Sequence, residues 1–342
     1  MDTQSSPTSS STTTYRNPII EQRADPWVYR HTDDYYYFTG SVPSFDYIEL
    51  RRATHIQGLA DAEPVIVWRK PDTGPMSHLI WAPEIHYIHQ KWYIYFAAAA
   101  TDEIVDGLFQ HRMFVLENDH PNPLEGTWVE KGQIITPWDT FALDATTFIH
   151  QEQQYLLWAQ KEPEIDGNSN LYLSVMDNPW TLKGTPTRLS IPELSWECIG
   201  FKVNEGPAFL RKQDQLFISY SASATDHHYC MGLLTADIHS DILNAASWIK
   251  SDQPVFGTAE AHSQYGPGHN CFTVSEDGQQ DVMIYHARNY KEISGNPLYD
   301  PNRHMRAQII HWNADHTPNF GVPVADHIST DQTASVDHAK ES

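Results

Sequence analysis

An all-β fold, a five-bladed β-propeller of four-stranded antiparallel blades around a central axis, is predicted by three features of this 342-residue sequence. First, β-branched and aromatic runs recur at 35–39, 92–96, 155–159, 216–220 and 282–286, a period of roughly 60 residues. Second, a polar or proline-marked position stands about ten residues ahead of each run: Asp25-Pro26, Ala82-Pro83-Glu84, Asp144-Ala145, Glu205-Gly206-Pro207 and Gly268-His269-Asn270. Third, a looser block follows each run, at 47–52, 112–117, 171–176, 229–235 and 305–312, and four of these blocks lead into a further apolar stretch. Four strands per unit, repeated five times, close radially, and the first strand of each unit lines the axis. Residues far apart in sequence but equivalent in the repeat therefore converge.

Composition narrows the function classes. Aromatics make up 12% of the chain, with 11 Trp and 17 Tyr, which suits packed strands or a sugar-binding cleft. The formal net charge of −22 argues against nucleic acid and anionic membrane surfaces as partners, because neutralising phosphates requires clustered Lys and Arg. Cys198, Cys230 and Cys271 are widely spaced and read as buried thiols rather than zinc ligands or a disulfide framework. The first 14 residues are rich in Ser and Thr without an apolar run, and no stretch is long enough to span a bilayer, so a cytoplasmic protein is expected. The segments 1–14 and 328–342 are poor in apolar residues and are expected to be disordered tails, leaving 15–327 as a single propeller domain.

In chain order, blade one is expected to start at Asn17-Pro18-Ile19-Ile20 and to reach Asp25, an acid before proline that its place in the repeat lifts above an ordinary turn former. Blade two carries Trp81, just ahead of the axial position and suited to stacking on a sugar face. Its Glu84 falls two residues out of register with Asp25 and is read as structural. Blade three supplies Asp144, which needs a partner if buried, and Trp158, read as core. Blade four supplies Glu205, held by Gly206 and Pro207. Blade five supplies His269, whose neighbours Gly266 and Gly268 permit close backbone approach. The pair His227-His228 has no metal-ligand spacing. Arg288 ends a blade-five run and is placed to hydrogen-bond a substrate hydroxyl or an axial carboxylate, and the segment 288–303 is an insertion ahead of the next strand.

Two carboxyl groups flanking a bond, with their pKa values pushed apart, are the equipment of glycosidic bond hydrolysis. Asp25, Asp144 and Glu205 are the axial candidates. A third acid has a physical use, since a nearby negative charge keeps a neighbouring carboxyl protonated near neutral pH. Reach favours Glu205 as proton donor, with Asp25 as base across the axis and Asp144 as the orienting and pKa-tuning residue, although sequence alone does not divide the roles.

The ordered set Ala24-Asp25-Pro26, Trp81-Ala82-Pro83-Glu84-Ile85, Leu143-Asp144-Ala145, Asn204-Glu205-Gly206-Pro207 and Gly268-His269 resembles glycoside hydrolase family 43 over residues 17–325. The resemblance implies a five-bladed propeller acting by inversion, with Asp25 as general base, Asp144 as pKa modulator and Glu205 as general acid. Inversion leaves about 6.5 to 9.5 Å between base and acid for a water. It also implies that His269 stands beside a water-coordinated calcium or other axial ion, structural in role, and that no organic cofactor is required. Ala145 departs from the family pattern, where Pro commonly follows the Asp. The expected activity is an exo-acting α-L-arabinofuranosidase on arabino-oligosaccharides. β-Xylosidase, endo-arabinanase and a non-catalytic carbohydrate-binding propeller are the alternatives on the same fold, and 288–303 resembles a loop of arabinofuranosidase members that walls off one end of the cleft. A cytoplasmic member would trim imported oligosaccharides.

Overall fold

The computed structural model describes residues 14–327, so the two expected tails lie outside the described residues except for Thr14. Five antiparallel sheets stand around an axis in sequence order. Blade one comprises Ala24–Arg30, Tyr36–Ser41, Tyr47–Ala53 and Val65–Arg69, and blade two His78–Ile88, Lys91–Ala99, Arg112–Asn118 and Val129–Gln133. Blade three comprises Ala142–His150, Gln153–Gln160, Asn170–Asn178 and Thr181–Ser190, and blade four Asn204–Lys212, Gln215–Ala222, Cys230–Asp237 and Ile249–Lys250. Blade five has the strands Tyr265–Val274, Asp281–Arg288 and His304–Ile309.

The fourth edge of blade five comes from the other end of the chain. Ile20 bridges Met305, with Ile19 N–H donating to the Met305 carbonyl at 2.9 Å and Met305 N–H to the Ile20 carbonyl at 2.8 Å. Asn17 extends this seam by exchanging side-chain hydrogen bonds of 2.9 Å with both backbone groups of Ala307. Asn17-Pro18-Ile19-Ile20 therefore closes blade five instead of opening blade one. A ring has no chemical need to begin where its first blade begins, and this pairing removes an exposed strand edge.

The second strand of each blade is the recurring run seen in the sequence, and it is buried because both its faces meet neighbours. Tyr37, Trp92 and Phe96 pack between blades one and two, and Tyr95, Trp158 and Tyr172 between blades two and three. Trp158 is fully buried, as read from its place in the repeat. Truncating such a side chain to Ala costs about 3–5 kcal/mol. Cys230 and Cys271 are buried and Cys198 is half-buried, and all three are free thiols.

Each innermost strand contains the same one-residue bulge. Its first and fourth positions pair across two residues of the neighbouring strand: Ala24 and Trp27, Trp81 and Glu84, Leu143 and Thr146, Glu205 and Ala208, Gly268 and Cys271. The second position always has positive φ: Asp25 (52°), Ala82 (44°), Asp144 (55°), Gly206 (52°) and His269 (42°). A bulge turns its side chains out of the regular alternation, and here that brings the second residues toward one another. It also frees backbone N–H groups, which side chains of the preceding blade accept. Ala82 N–H donates to Ser41 Oγ (2.8 Å), His269 N–H to Ser221 Oγ (2.7 Å), Asp25 N–H to His286 Nδ1 (3.1 Å) and Gly206 N–H to Asp144 Oδ2 (2.9 Å). The carboxylates are thus built into the joints between blades.

Candidate active site

Asp25, Asp144, Glu205 and His269 all line one cavity of about 240 Å³ at the axis. Asp25 and Asp144 occupy the second bulge position, as does His269, whereas Glu205 occupies the first position of its bulge. Gly206 holds the second position in blade four because its missing side chain leaves room for the imidazole: a Cβ there would stand 3.0 Å from His269 Cγ.

Asp25 is surrounded by donors. Ser41 Oγ–H donates to Oδ2 at 2.6 Å, and Oδ1 has His269 Nδ1 at 3.2 Å and Arg303 Nη1 at 3.6 Å, while His286 Nδ1, 3.6 Å from Oδ1, is the acceptor of the Asp25 N–H. Burial alone would raise its pKa, but the charges of His269 and Arg303 outweigh this and hold it well below the usual carboxylate range. Asp25 is therefore ionised near neutral pH. His269 gains correspondingly: burial opposes its charge, yet Asp144 and Asp25 push its pKa up to about 10.

Glu205 is the opposite case. Burial first, and then the negative charge of Asp144, push its pKa up to about 8, against a hydrogen bond from Tyr229 Oη to Oε1 (2.8 Å) that favours the anion. Burial also raises Asp144, with Asp25 adding to the shift and His269 and the Gly206 N–H opposing it. Of these two acids, Glu205 holds the proton near neutrality, because the Asp144 carboxylate has both an amide donor and a cationic imidazole facing it. One cavity thus presents an ionised base, a protonated acid and a carboxylate beside that acid.

Two further predicted residues are placed differently from each other. Trp81 lines the cavity and is stacked on His111 at 3.7 Å between ring centroids. Arg288 is only 1% exposed and does not line it: its guanidinium donates to the carbonyls of Thr225 (2.6 Å) and Pro297 (2.8 Å) and faces Asp300 Oδ1 (3.4 Å). Burial leaves an Arg little choice but to satisfy its donors locally. Arg288 anchors the insertion, and the cation that reaches the cavity is Arg303, at the insertion's other end. Repeat analysis missed Arg303, Ser41, Tyr229 and His286. The last three lie on second and third strands or beside them, and only the cross-strand register could have pointed to them.

Glu84 is buried in the second blade's bulge with Oε2 3.0 Å from His86 Nε2. Burial raises Glu84 well above the usual range and lowers His86 to about 3, so this is a contact between neutral partners in which the carboxylic acid donates. Glu84 does not line the cavity, in keeping with its reading as structural.

The axial residues do not fit a directly ligated metal. His269 Nδ1 faces Asp25, and among the described residues the one group of three potential ligand side chains within 4.8 Å of one another is Asp226, His227 and His228, none of which lines the axial cavity. An ion at the axis would have to be held mainly through water, and no chemical step is assigned to one.

A propeller whose axis gathers an ionised and a protonated carboxyl across a cavity is the architecture of a glycoside-hydrolysing protein. Comparison with known proteins agrees. Residues 15–318 match the model of glycosyl hydrolases family 43, and the chain belongs to that family. It is 57% identical over 316 residues to a Streptomyces avermitilis protein named an extracellular exo-alpha-(1->5)-L-arabinofuranosidase, covering 92% of this chain and 65% of that one. It is 55% identical to a protein of the same name from Streptomyces chartreusis, covering 83% of this chain and 85% of the relative. The crystal structure of an alpha-L-arabinofuranosidase from Lactobacillus brevis superposes with a TM-score of 0.91 at 56% identity, covering 92% of this chain and 98% of that one. The chain thus spans about two thirds of the length of the S. avermitilis relative. The names of the two Streptomyces relatives overturn the cytoplasmic placement expected from the sequence. That expectation rested on the lack of an apolar run near residue 1, and a fold closed by strand pairing and core packing, with free thiols, carries no mark of its compartment.

Proposed function

We propose that this chain is an inverting, exo-acting α-L-arabinofuranosidase that removes terminal L-arabinose from arabino-oligosaccharides outside the cell. The observation that carries it is the division of protonation across the cavity, with Asp25 held ionised and Glu205 protonated up to about pH 8. Asp25 takes a proton from a water, which attacks the anomeric carbon. Glu205 delivers its proton to the departing glycosidic oxygen, and the bond to the leaving sugar breaks. Asp144 raises the pKa of Glu205 and holds blade four by accepting the Gly206 N–H. Arg303 and His269 keep the base ionised, and no organic cofactor enters the sequence of steps.

Exo action is supported by the insertion after Arg288. Asn296, Leu298 and Arg303 close one end of the cavity, and Asp300 ties the loop together by accepting from Tyr290 Oη (2.8 Å) and Asn302 N–H (3.0 Å). A blocked end admits a chain terminus and not a passing chain. The choice of arabinose is supported by the names of the relatives. Hydrolysis of arabinobiose followed by proton NMR tests the proposal: the first product formed should be the β-anomer, and nitrophenyl α-L-arabinofuranoside should be cleaved in preference to nitrophenyl β-D-xyloside. An α-anomer, or preference for the xyloside, overturns it.

A further inference from the structure

In blade four the chain reverses between the strands Gln215–Ala222 and Cys230–Asp237 through the turn 223–229. Adjacent histidines have no ligand spacing along an extended strand. The turn, however, bends Asp226, His227 and His228 so that one carboxylate oxygen and one nitrogen of each ring lie within 4.8 Å of one another. His228 Nδ1 is 2.9 Å from Asp226 Oδ1, and the same oxygen accepts the His228 N–H at 2.8 Å. The His227 ring rests against that of His228, 3.9 Å between centroids, and its nitrogens make no hydrogen bond among the described residues. All three residues are half-buried, with 30% of the Asp226 side chain and 37% of the His228 side chain left to solvent. Two such imidazoles pressed together beside a carboxylate bury little apolar surface, so core packing does not account for them.

The backbone beneath these side chains is fixed from outside the turn. Ala224 N–H donates to the Ile199 carbonyl (2.9 Å), Arg288 Nη1 to the Thr225 carbonyl (2.6 Å) and Thr258 Oγ1 to the His227 carbonyl (2.6 Å). Tyr229 N–H closes the turn on the Asp226 carbonyl (3.2 Å). Gly266 of blade five presses on that carbonyl, where a Cβ would stand 2.1 Å from the oxygen, so only glycine admits the approach. Donor side chains on a fixed backbone have less freedom to lose when an ion takes them.

We propose that Asp226, His227 and His228 bind one divalent first-row transition ion, of the class of Zn²⁺, Ni²⁺ or Cu²⁺, outside the axial cavity. Two imidazoles and one carboxylate suit that class, whereas Ca²⁺ and Mg²⁺ take oxygen donors. Bonds of about 2.0–2.2 Å call for donor separations of about 3 to 3.5 Å. The Asp226–His228 pair is already at that spacing, and rotation of the His227 side chain supplies the rest. An ion at His228 Nδ1 takes the place of the proton held between that nitrogen and Asp226 Oδ1, and water fills the coordination positions that the protein leaves open. The next residue, Tyr229, donates its hydroxyl to Glu205, so the ion stiffens the segment that leads to the proton donor. None of its three ligands lines the cavity, and the proposal does not depend on the hydrolase reading.

The test is calorimetric titration with Ni²⁺ of untagged protein, stripped with EDTA and dialysed, in wild type, Asp226→Asn, His227→Gln and His228→Gln. Wild type should take up one ion per chain at its tightest site, with a dissociation constant on the order of 10 μM, and millimolar Ca²⁺ should not displace it. Each substitution should weaken that site about tenfold or more. Asp226→Asn keeps an oxygen for the His228 N–H and so preserves the turn, and all three metal-free variants should melt within about 2 °C of wild type, which separates lost binding from lost fold. A tightest site that survives all three substitutions belongs to other histidines and overturns the proposal. Wild type without saturable binding below about 1 mM, or with Ni²⁺ displaced by Ca²⁺, overturns it as well.

Discussion

Blades two and four carry the same bulge with one carboxyl each, at different places in it. Blade two reads Trp81-Ala82-Pro83-Glu84 and blade four reads Glu205-Gly206-Pro207-Ala208 across the corresponding register shift. In the first position Glu205 lines the cavity, while in the fourth Glu84 meets His86 and does not. Both acids are raised by burial. A raised pKa therefore does not mark the proton donor here; position within the bulge decides whether the proton faces a substrate or a neighbouring side chain. Perturbed groups cluster at active sites, but structural pairs perturb one another as well.

The comparison breaks most sharply on activity. Glu205→Ala and Asp25→Ala should each lower kcat on arabino-oligosaccharides by roughly a thousandfold to ten-thousandfold. An activated aryl leaving group should relieve Glu205→Ala far more than Asp25→Ala, because only the former lacks the proton donor. Glu84→Gln keeps a neutral donor for His86 and should hold kcat within about twofold of wild type. A loss at Glu84→Gln equal to that at Glu205→Ala would erase the distinction between the two acids.

Backbone strain sharpens it further. Gly206→Ala places a Cβ 3.0 Å from His269 Cγ at a φ of +52°, while Ala82 already carries a Cβ at +44°. Denaturant unfolding should show Gly206→Ala destabilised by about 1–2 kcal/mol, with reduced activity from the displaced imidazole. Ala82→Gly should stay within about 1 kcal/mol of wild type, since relief of left-handed strain offsets the entropy of the added glycine.

A smaller effect concerns stability against pH. The folded pKa of Glu205, about 8, lies above its ordinary value of 4.5, so the stability tied to its proton is fully present below 4.5 and is lost as pH rises through about 8. Glu205→Gln removes that loss. Its Tm should match wild type near pH 4 and exceed it at pH 8, by a margin on the order of 1 kcal/mol or more in unfolding free energy. Equal Tm differences at both pH values would show that Glu205 is not buried in its neutral form.

The five bulges explain how much of the site the sequence discloses. Asp25, Asp144 and His269 share one repeat address, and the two-residue offset of Glu84 is legible by counting. Glu205 is one place off that address, and Gly206 holds it instead, a distinction that depends on which residue takes positive φ. Ser41, Tyr229 and His286 escape because their approach depends on strand register, and Arg303 because an insertion hides which of its two end arginines turns inward. Ile19 and Ile20 are apolar and extended either way, so only closure of the ring assigns them to blade five.

The most direct test of the proton's place is the pH dependence of kcat/KM in wild type and Asp144→Asn. The wild-type alkaline limb should fall near pH 8, where Glu205 loses its proton. Removing the Asp144 charge should move that limb about one unit or more toward lower pH. A limb that stays in place, or moves upward, would contradict the assignment of Glu205 as the acid whose proton Asp144 retains.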